Sequence, residues 1–418
     1  MNAPDKRIII FYVIVKCWMK NERFFLLMLA LLQFTNIMDF MIMMPLGPQL
    51  MRLFDIGPDQ FSLAVSAYTI SAGISGIAGA FWLDRLDRKQ ALLLMYGGFL
   101  AGTLCCALAP SYILLVTARI VTGAFGGILG AIVFSIVADI IPEARRGSAM
   151  GIVSTSFSMA SVFGVPFGLY LATLLSWHAP FYAIVVIGAI IYGVLMKVLP
   201  PMRSHFQHHH VHGSPWQNVK TVLADPVVRR SLLFMVLLMF GQFSIIPFIS
   251  PYMVANVGIR EQHLPFIYFF GGAATIFSSP LVGKISDAIG KPKVFTFFAV
   301  IAIIPVLIIT NLPVVSLPVV LTITTIFFIV TNGRMVPAMA IASTVISPER
   351  RGTFMSINAS VMQMASGVAS FIAGHIVTKS QTGALQNYQY VGFISAAAGI
   401  LCLLMLPVLI SSQKKSVQ

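Results

Sequence analysis

The sequence predicts an all-α integral membrane protein, with twelve transmembrane helices forming two six-helix bundles related by an axis along the membrane normal. Three observations predict it. Hydrophobic residues make up 58% of the 418 residues and charged residues 10%, whereas a soluble domain carries about 25% charged residues. The apolar residues gather into runs long enough to span a bilayer, which takes about 20 residues each. The second half of the chain then repeats the loop chemistry of the first.

The N-terminal segment, residues 1–23, opens with a short apolar stretch over 8–18. This stretch is too short to span and lacks a small-residue cleavage site, which argues against a secretory signal. It reads as an interfacial helix or an upstream extension, with Met19-Lys20-Asn21-Glu22-Arg23 as a cytoplasmic start to the first span. Breaks at charge and proline place the spans near 24–48, 60–82, 91–109, 112–140, 148–175 and 179–199, then 231–255, 264–286, 293–311, 314–343, 352–378 and 389–411. The first six make a bundle over 24–199 and the last six one over 231–411. Residues 200–230, rich in His, Pro, Lys and Arg, form a cytoplasmic linker, and 412–418 a cytoplasmic tail.

Orientation follows from the loops. Lys20, Arg23, Arg85, Arg88, Lys89, Arg145, Arg146, the linker, Lys284, Lys291, Lys293, Arg350, Arg351, Lys414 and Lys415 fall on one side; Arg52, Arg260 and Lys379 fall on the other. The positive-inside rule puts the first side, with both termini, in the cytoplasm. The same distribution explains the net charge of +14 without nucleic acid, because no basic soluble module exists to bind it. Cys17, Cys105, Cys106 and Cys402 show neither metal-ligand spacing nor a disulfide framework. No metal site is expected of them, nor of the solvated linker histidines His205, His208, His209, His210 and His212.

The halves repeat in detail. Asp84 follows the second span and Asp287, 203 residues later, the eighth. Arg145-Arg146-Gly147 precedes the fifth span and Arg350-Arg351-Gly352, 205 residues later, the eleventh, each followed by Met at Met150 and Met355. An even number of spans per half makes the halves parallel, a symmetry that lets one half rock against the other around a midplane site.

On these residues the chain resembles the major facilitator superfamily over residues 20–412. That family's loop signature appears as Ala80-Phe81-Trp82-Leu83-Asp84-Arg85-Leu86-Asp87-Arg88-Lys89, with Ala80 and Asp87 replacing glycines. The second copy, Gly283-Lys284-Ile285-Ser286-Asp287-Ala288-Ile289-Gly290-Lys291, keeps both glycines. The resemblance implies a conformational latch of Asp84, Arg85, Arg88, Gly283, Asp287 and Gly290, in which small residues let spans close and the Asp pairs with a helix end. A narrower likeness is to the twelve-span drug–proton antiporters. It rests on Arg119-Ile120-Val121-Thr122-Gly123, on Gly333-Arg334-x-x-Pro337, and on the helix-five motif Gly164-Val165-Pro166-Phe167-Gly168. The last departs from the usual form, in which Gly and Pro are adjacent and a Gly-Gly pair follows.

Small residues recur every four positions at Ser156, Ala160, Gly164, Gly168 and Ala172, at Gly123, Gly127, Ala131 and Ser135, and at Ala67, Ser71, Ser75 and Gly79. Such stripes permit close helix packing in lipid; a sliding surface is the alternative.

Ionisable groups inside spans are functional candidates by default. Asp39 lies about 22 Å from the start of span one, leaving roughly 8 Å to the far side of a core of about 30 Å. Arg119 lies about 10 Å in from that side, so the two can pair. Burial disfavours the charged carboxylate and a nearby guanidinium favours it, so modest rearrangement can load or release a proton. Asp39 is therefore expected to carry a coupling proton that Arg119 tunes; a static pair joining spans one and four is the alternative. Gln33, Asn36, Gln242 and Arg334 are the candidates for lining a substrate cavity. At an offset of 203 Asp39 corresponds to Gln242; a different offset would set Gln242 against Gln33. Arg334 and Arg119 beside one Asp favour neutral or anionic substrates at least as much as cations. Arg334 could instead satisfy carbonyls near Pro337. Asp139 is expected to pair with Arg145 or Arg146, and His375 to be interfacial.

The leading expectation is secondary active export, proton-coupled, of a small amphiphilic compound or metabolite by alternating access. The partners are that substrate, protons and the lipid bilayer, the cofactor none, the energy source a proton gradient, and the state a monomer. A bacterial inner membrane follows from the resemblance alone. Uptake or uniport of a sugar-like solute, and a receptor that binds without turnover, are the alternatives. An ATP-driven pump is disfavoured by the absence of a phosphate-binding P-loop, and an enzyme by the absence of a zinc-binding helix or nucleophile elbow.

Overall fold

The computed structural model describes residues 6–82, 86–199, 202, 215–344, 346 and 348–417. Helix α1 (Lys6–Ile42) is followed by the short α2 (Gly47–Leu53), then α3 (Pro58–Trp82), α4 (Arg88–Ala107) and α5 (Tyr112–Ile140). Span five is broken into α6 (Glu143–Met159), a π-turn over Ala160–Gly164, and α7 (Val165–Leu174); α8 (Ala179–Val198) closes the first half. Within the linker lies α9 (Pro215–Ala224). The second half holds α10 (Pro226–Phe243), α11 (Ile246–Ala255), α12 (Leu264–Ile289), α13 (Lys291–Thr310), α14 (Leu317–Thr344), α15 (Pro348–Ile376) and α16 (Tyr388–Val417). Span seven thus begins at Pro226, capped by Asp225, whose carboxylate accepts from the Val227 N–H.

Among the described residues, eleven helical segments are long and apolar enough to cross a membrane. The twelfth crossing is α15, whose 29 residues are diluted by Ser, Thr, Asn, Gln and Gly. The reason is its position. It runs along α3 of the other half, where Gly374 meets Ser62, Gly367 meets Thr69 and Ile70, and Gly73 meets Ser360 and Met364. A helix that faces protein on this side needs smallness there, not hydropathy. A two-stranded hairpin, β1 (Thr378–Lys379) with β2 (Leu385–Gln386), joins α15 to α16. Asn256 holds it, its amide bridging the N–H and C=O of Leu385 at 2.8 Å each. The sequence reading gave no sign of this hairpin.

Even span numbers place the termini and the linker on one face, called here the linker face; α2, α11 and the hairpin lie on the opposite face. There the halves are clasped. Gly47 abuts Pro251 and Phe61, and Arg52 donates to Glu261 at 2.5 and 3.3 Å. The Glu261 carboxylate holds the Arg52 guanidinium above its ordinary pKa. The second seam is α12 against span five, with Gly272 on the backbone of Ser161.

The π-turn has a local cause. Pro166 lacks an N–H and so leaves a carbonyl of the preceding turn without its helical donor, and the Val165 N–H reaches back to the Ala160 carbonyl instead. The small residues of this span face α1. Ser156 donates to the Ala30 carbonyl at 2.8 Å, Gly164 lies on Phe34 and Met38, and Gly168 on Ile42. The stripe on α5 packs on α3, where a Cβ on Gly123 or Gly127 would strike the backbone of Tyr68 or Ala72.

Candidate functional site

Span one delivers Asp39 one turn before the end of α1, and the second turn of α5 delivers Arg119. Both are fully buried. Arg119 Nη1 donates to Asp39 Oδ2 at 2.7 Å and, at 3.3 Å, to the Asp39 carbonyl. Thr103 on α4 reaches Asp39 Oδ1 at 3.2 Å, although its hydroxyl is also 3.0 Å from the Phe99 carbonyl. A second layer holds the guanidinium. The Tyr68 ring lies 4.4 Å from the Arg119 Cζ, a cation–π arrangement. Tyr68 donates its hydroxyl to Asn36 Oδ1 at 3.0 Å, and Asn36 Nδ2 donates to the Gly126 carbonyl at 3.3 Å. The glycines create this geometry. A Cβ on Gly126 would sit 2.7 Å from the Tyr68 hydroxyl and 2.8 Å from Asn36 Oδ1, and Gly123 and Gly127 bring α3 close enough for Tyr68 to cover Arg119.

Of the expected residues, Asp39, Arg119 and Asn36 converge here. Gln33 lies apart, against Gly130, with its Oε1 buried and unpartnered. Tyr68 and Thr103, buried around the pair, were absent from the sequence reading, while Cys106 and Thr122, also buried there, figured in it only as a cysteine without a metal or disulfide role and as a motif position. A mid-span tyrosine whose hydroxyl must find a partner was the available signal for Tyr68.

Residues related by a two-fold axis touch where they approach that axis. Phe40 and Phe243, 203 apart, have ring centroids 5.9 Å from each other, and α2 meets α11 within one residue of that register, Gly47 on Pro251, 204 apart. The offset of 203 therefore fits this part of the fold and equates Asp39 with Gln242, whose Oε1 is buried without a partner. With Ser111 matched to Ser316 ahead of α5 and α14, Arg119 equates with Thr324, which bonds back to its own helix at 2.8 Å. The ion pair is confined to the first half.

The loop expectations fare unevenly. Asp84 and Arg85 lie outside the described residues, as do the linker histidines. Arg88 is buried and pairs with Asp139 at 3.3 Å. That corrects the expectation for Asp139: the last turn of α5 faces the start of α4, whereas Arg145, on the next helix, points to Glu22 at 3.2 Å. Asp87, standing where the resembled signature has glycine, caps α4 by accepting from Lys89 N at 2.9 Å and also accepts from Met202 N at 3.1 Å. Gly290 has φ +99°, which explains its glycine. Gly283 closes on no described residue, since a Cβ there meets none of their atoms within 4 Å, and Asp287 is exposed. His375 bonds to the Phe371 carbonyl at an exposed position.

Fold and site together define a twelve-crossing membrane carrier whose halves meet along α3–α15 and span five–α12, with one fully buried ion pair among the described residues, in the first half. The Major Facilitator Superfamily model matches residues 29–333 and, overlapping, 232–417; the chain belongs to this family. Among its relatives is the MFS-type transporter YceJ of Bacillus subtilis (strain 168), 24% identical over 365 residues, covering 85% of this chain and 90% of the relative. Another is the "Probable sugar efflux transporter" of Helicobacter pylori (strain G27), 22% identical, covering 60% of this chain and 63% of that one. The structure of a D-xylose–proton symporter superimposes with a TM-score of 0.75 at 15% identity, covering 91% of this chain and 96% of the other.

Proposed function

We propose that this transporter exports a small amphiphilic compound or metabolite across a bacterial inner membrane in exchange for protons, as a monomer with the linker face in the cytoplasm. The observation that carries this reading is the Asp39–Arg119 pair, fully buried and without a counterpart in the second half. A buried charge pair is held by mutual attraction, and removing one charge strands the other. Protonating Asp39 does this reversibly. It frees the Arg119 guanidinium, which keeps only the Tyr68 ring and the Asp39 carbonyl, and so biases the arrangement of α1 against α5. Alternating access exposes the same carboxyl to either side in turn, so proton release and substrate movement are linked by one equilibrium.

The π-turn of span five lies on the seam to α12, where one half would move against the other during alternating access. Ser161 and Val162 of that turn meet Gly272 of α12 there, while Gly164 and Gly168 pack on α1. The H. pylori relative's name places sugars among the compounds to test.

The test is proton flux in proteoliposomes with an entrapped pH dye, using neutral, anionic and cationic amphiphiles and sugars. Substrate-evoked proton movement by wild type, absent in Asp39→Asn while labelled substrate still exchanges, is the expected outcome. Equal proton movement by Asp39→Asn removes Asp39 from the coupling role. Substrate equilibration without proton movement in wild type replaces antiport by uniport.

A further inference from the structure

The second half contains a buried cation that no described residue of it balances. Arg334 is 3% exposed on α14, ten residues and about 15 Å from the linker-face end of that helix. Its Nε and Nη2 are buried and have no hydrogen-bond partner, and no ion pair to a described residue includes it. Beside it on α16 lie Gly399, where a Cβ would sit 3.8 Å from Nη1, and Cys402, whose thiol interacts with it electrostatically. No carboxylate lies within the spans of this half, where Asp225, Glu261, Asp287 and Glu349 all stand at helix ends. At the offset of 205 the first half has Leu129, fully buried, so the arginine is not inherited from the repeat.

The physical chemistry leaves few options. Arginine cannot shed its proton in a protein, and an isolated buried charge is strongly unfavourable. A structural arginine near Pro337 would bond freed carbonyls, and Arg334 bonds none. Arg119 gives the contrast: it also leaves Nε and Nη2 unpaired, but its charge is met by Asp39 at 2.7 Å and by a ring face.

We propose that Arg334 receives the anionic group of the transported substrate, a carboxylate or an oxyanion of similar size, so that the first half handles the proton and the second half the substrate charge. This rests on the transport reading above and narrows its substrate class to organic anions. The unpartnered Nε–Nη2 edge of the guanidinium matches such a group through two parallel N–H donors.

Thermal unfolding of the purified full-length protein tests the proposal, with three ligands that share one body: 3-phenylpropionate, 3-phenylpropanol and 3-phenylpropyltrimethylammonium. In the absence of ligand, Arg334→Met is expected to melt higher than wild type, because it removes an unbalanced charge. Wild type is expected to bind the anion at least tenfold more tightly than the alcohol or the cation, Arg334→Met to lose that preference, and Arg334→Lys to keep part of it. A lower melting point for Arg334→Met gives the arginine a structural role and overturns the proposal. So does wild-type binding without anion preference, including no binding of any of the three. Proton flux evoked by a neutral compound in wild type and lost in Asp39→Asn would keep the transport reading while the anion assignment falls.

Discussion

Replacing Asp39 by Asn removes one charge from a pair that is 0% exposed on both sides. Breaking a buried pair by removing one partner costs about 3–5 kcal/mol, because the survivor is left uncompensated. Two features of this site reduce the figure. The Tyr68 ring 4.4 Å away stays in place and contributes about 0.5–2 kcal/mol to a desolvated cation, and an Asn oxygen can still accept from Nη1. The expected destabilisation is therefore about 2–4 kcal/mol. Arg119→Leu differs in kind. The stranded carboxyl can bind a proton, which the guanidinium cannot release, so this variant loses less and its stability falls as pH rises. A carboxyl protonated in the folded state stabilises folding below that state's pKa and loses the contribution above it. The double variant Asp39→Asn/Arg119→Leu is expected to lie within about 1 kcal/mol of the milder single one, a coupling that a double-mutant cycle measures. Thermal unfolding followed by tryptophan fluorescence at pH 6 and 8 reads all four proteins. Additive losses in the double variant would refute the reasoning, since they would mean the two groups do not share their energetics.

Three other outcomes follow from the structure. Arg52→Gln removes the clasp to Glu261 on the opposite face; with Arg52 67% exposed, the pair is worth about 0.2–1 kcal/mol. Spin-label distances across that face should shift by up to about fivefold in population, and less at high salt. Gly127→Val should cost at least about 1–3 kcal/mol, because its Cβ meets the unyielding Ala72 backbone, whereas Gly193→Ala, with open space around it, should leave the monodisperse yield unchanged in size-exclusion chromatography. Asp87→Ala removes the acceptor for two backbone N–H groups and should lower stability by about 0.5–2 kcal/mol in the same melting assay.

The crossings, their grouping into halves and the pairing of Asp39 with Arg119 were legible in the chain itself, because the bilayer imposes a length on every helix and a fixed rise converts sequence position into depth. The stripes at Gly123 and Gly127 were legible as packing surfaces for the same reason, since spacing of four defines one face of a helix. What spacing does not contain is rotation and neighbour. Asp139 went to Arg88 and not to the nearby Arg145, and Gly283 closed on no described residue, because those outcomes depend on which helices approach each other at the linker face. Tyr68 and Thr103 joined the ion pair from α3 and α4, helices whose sequences carry no mark of one another. Arg334 shows the limit most plainly. The chain reveals a buried arginine, but only the tertiary arrangement shows that no carbonyl or carboxylate meets its Nε and Nη2, since satisfaction of a buried charge is a property of the groups packed around it.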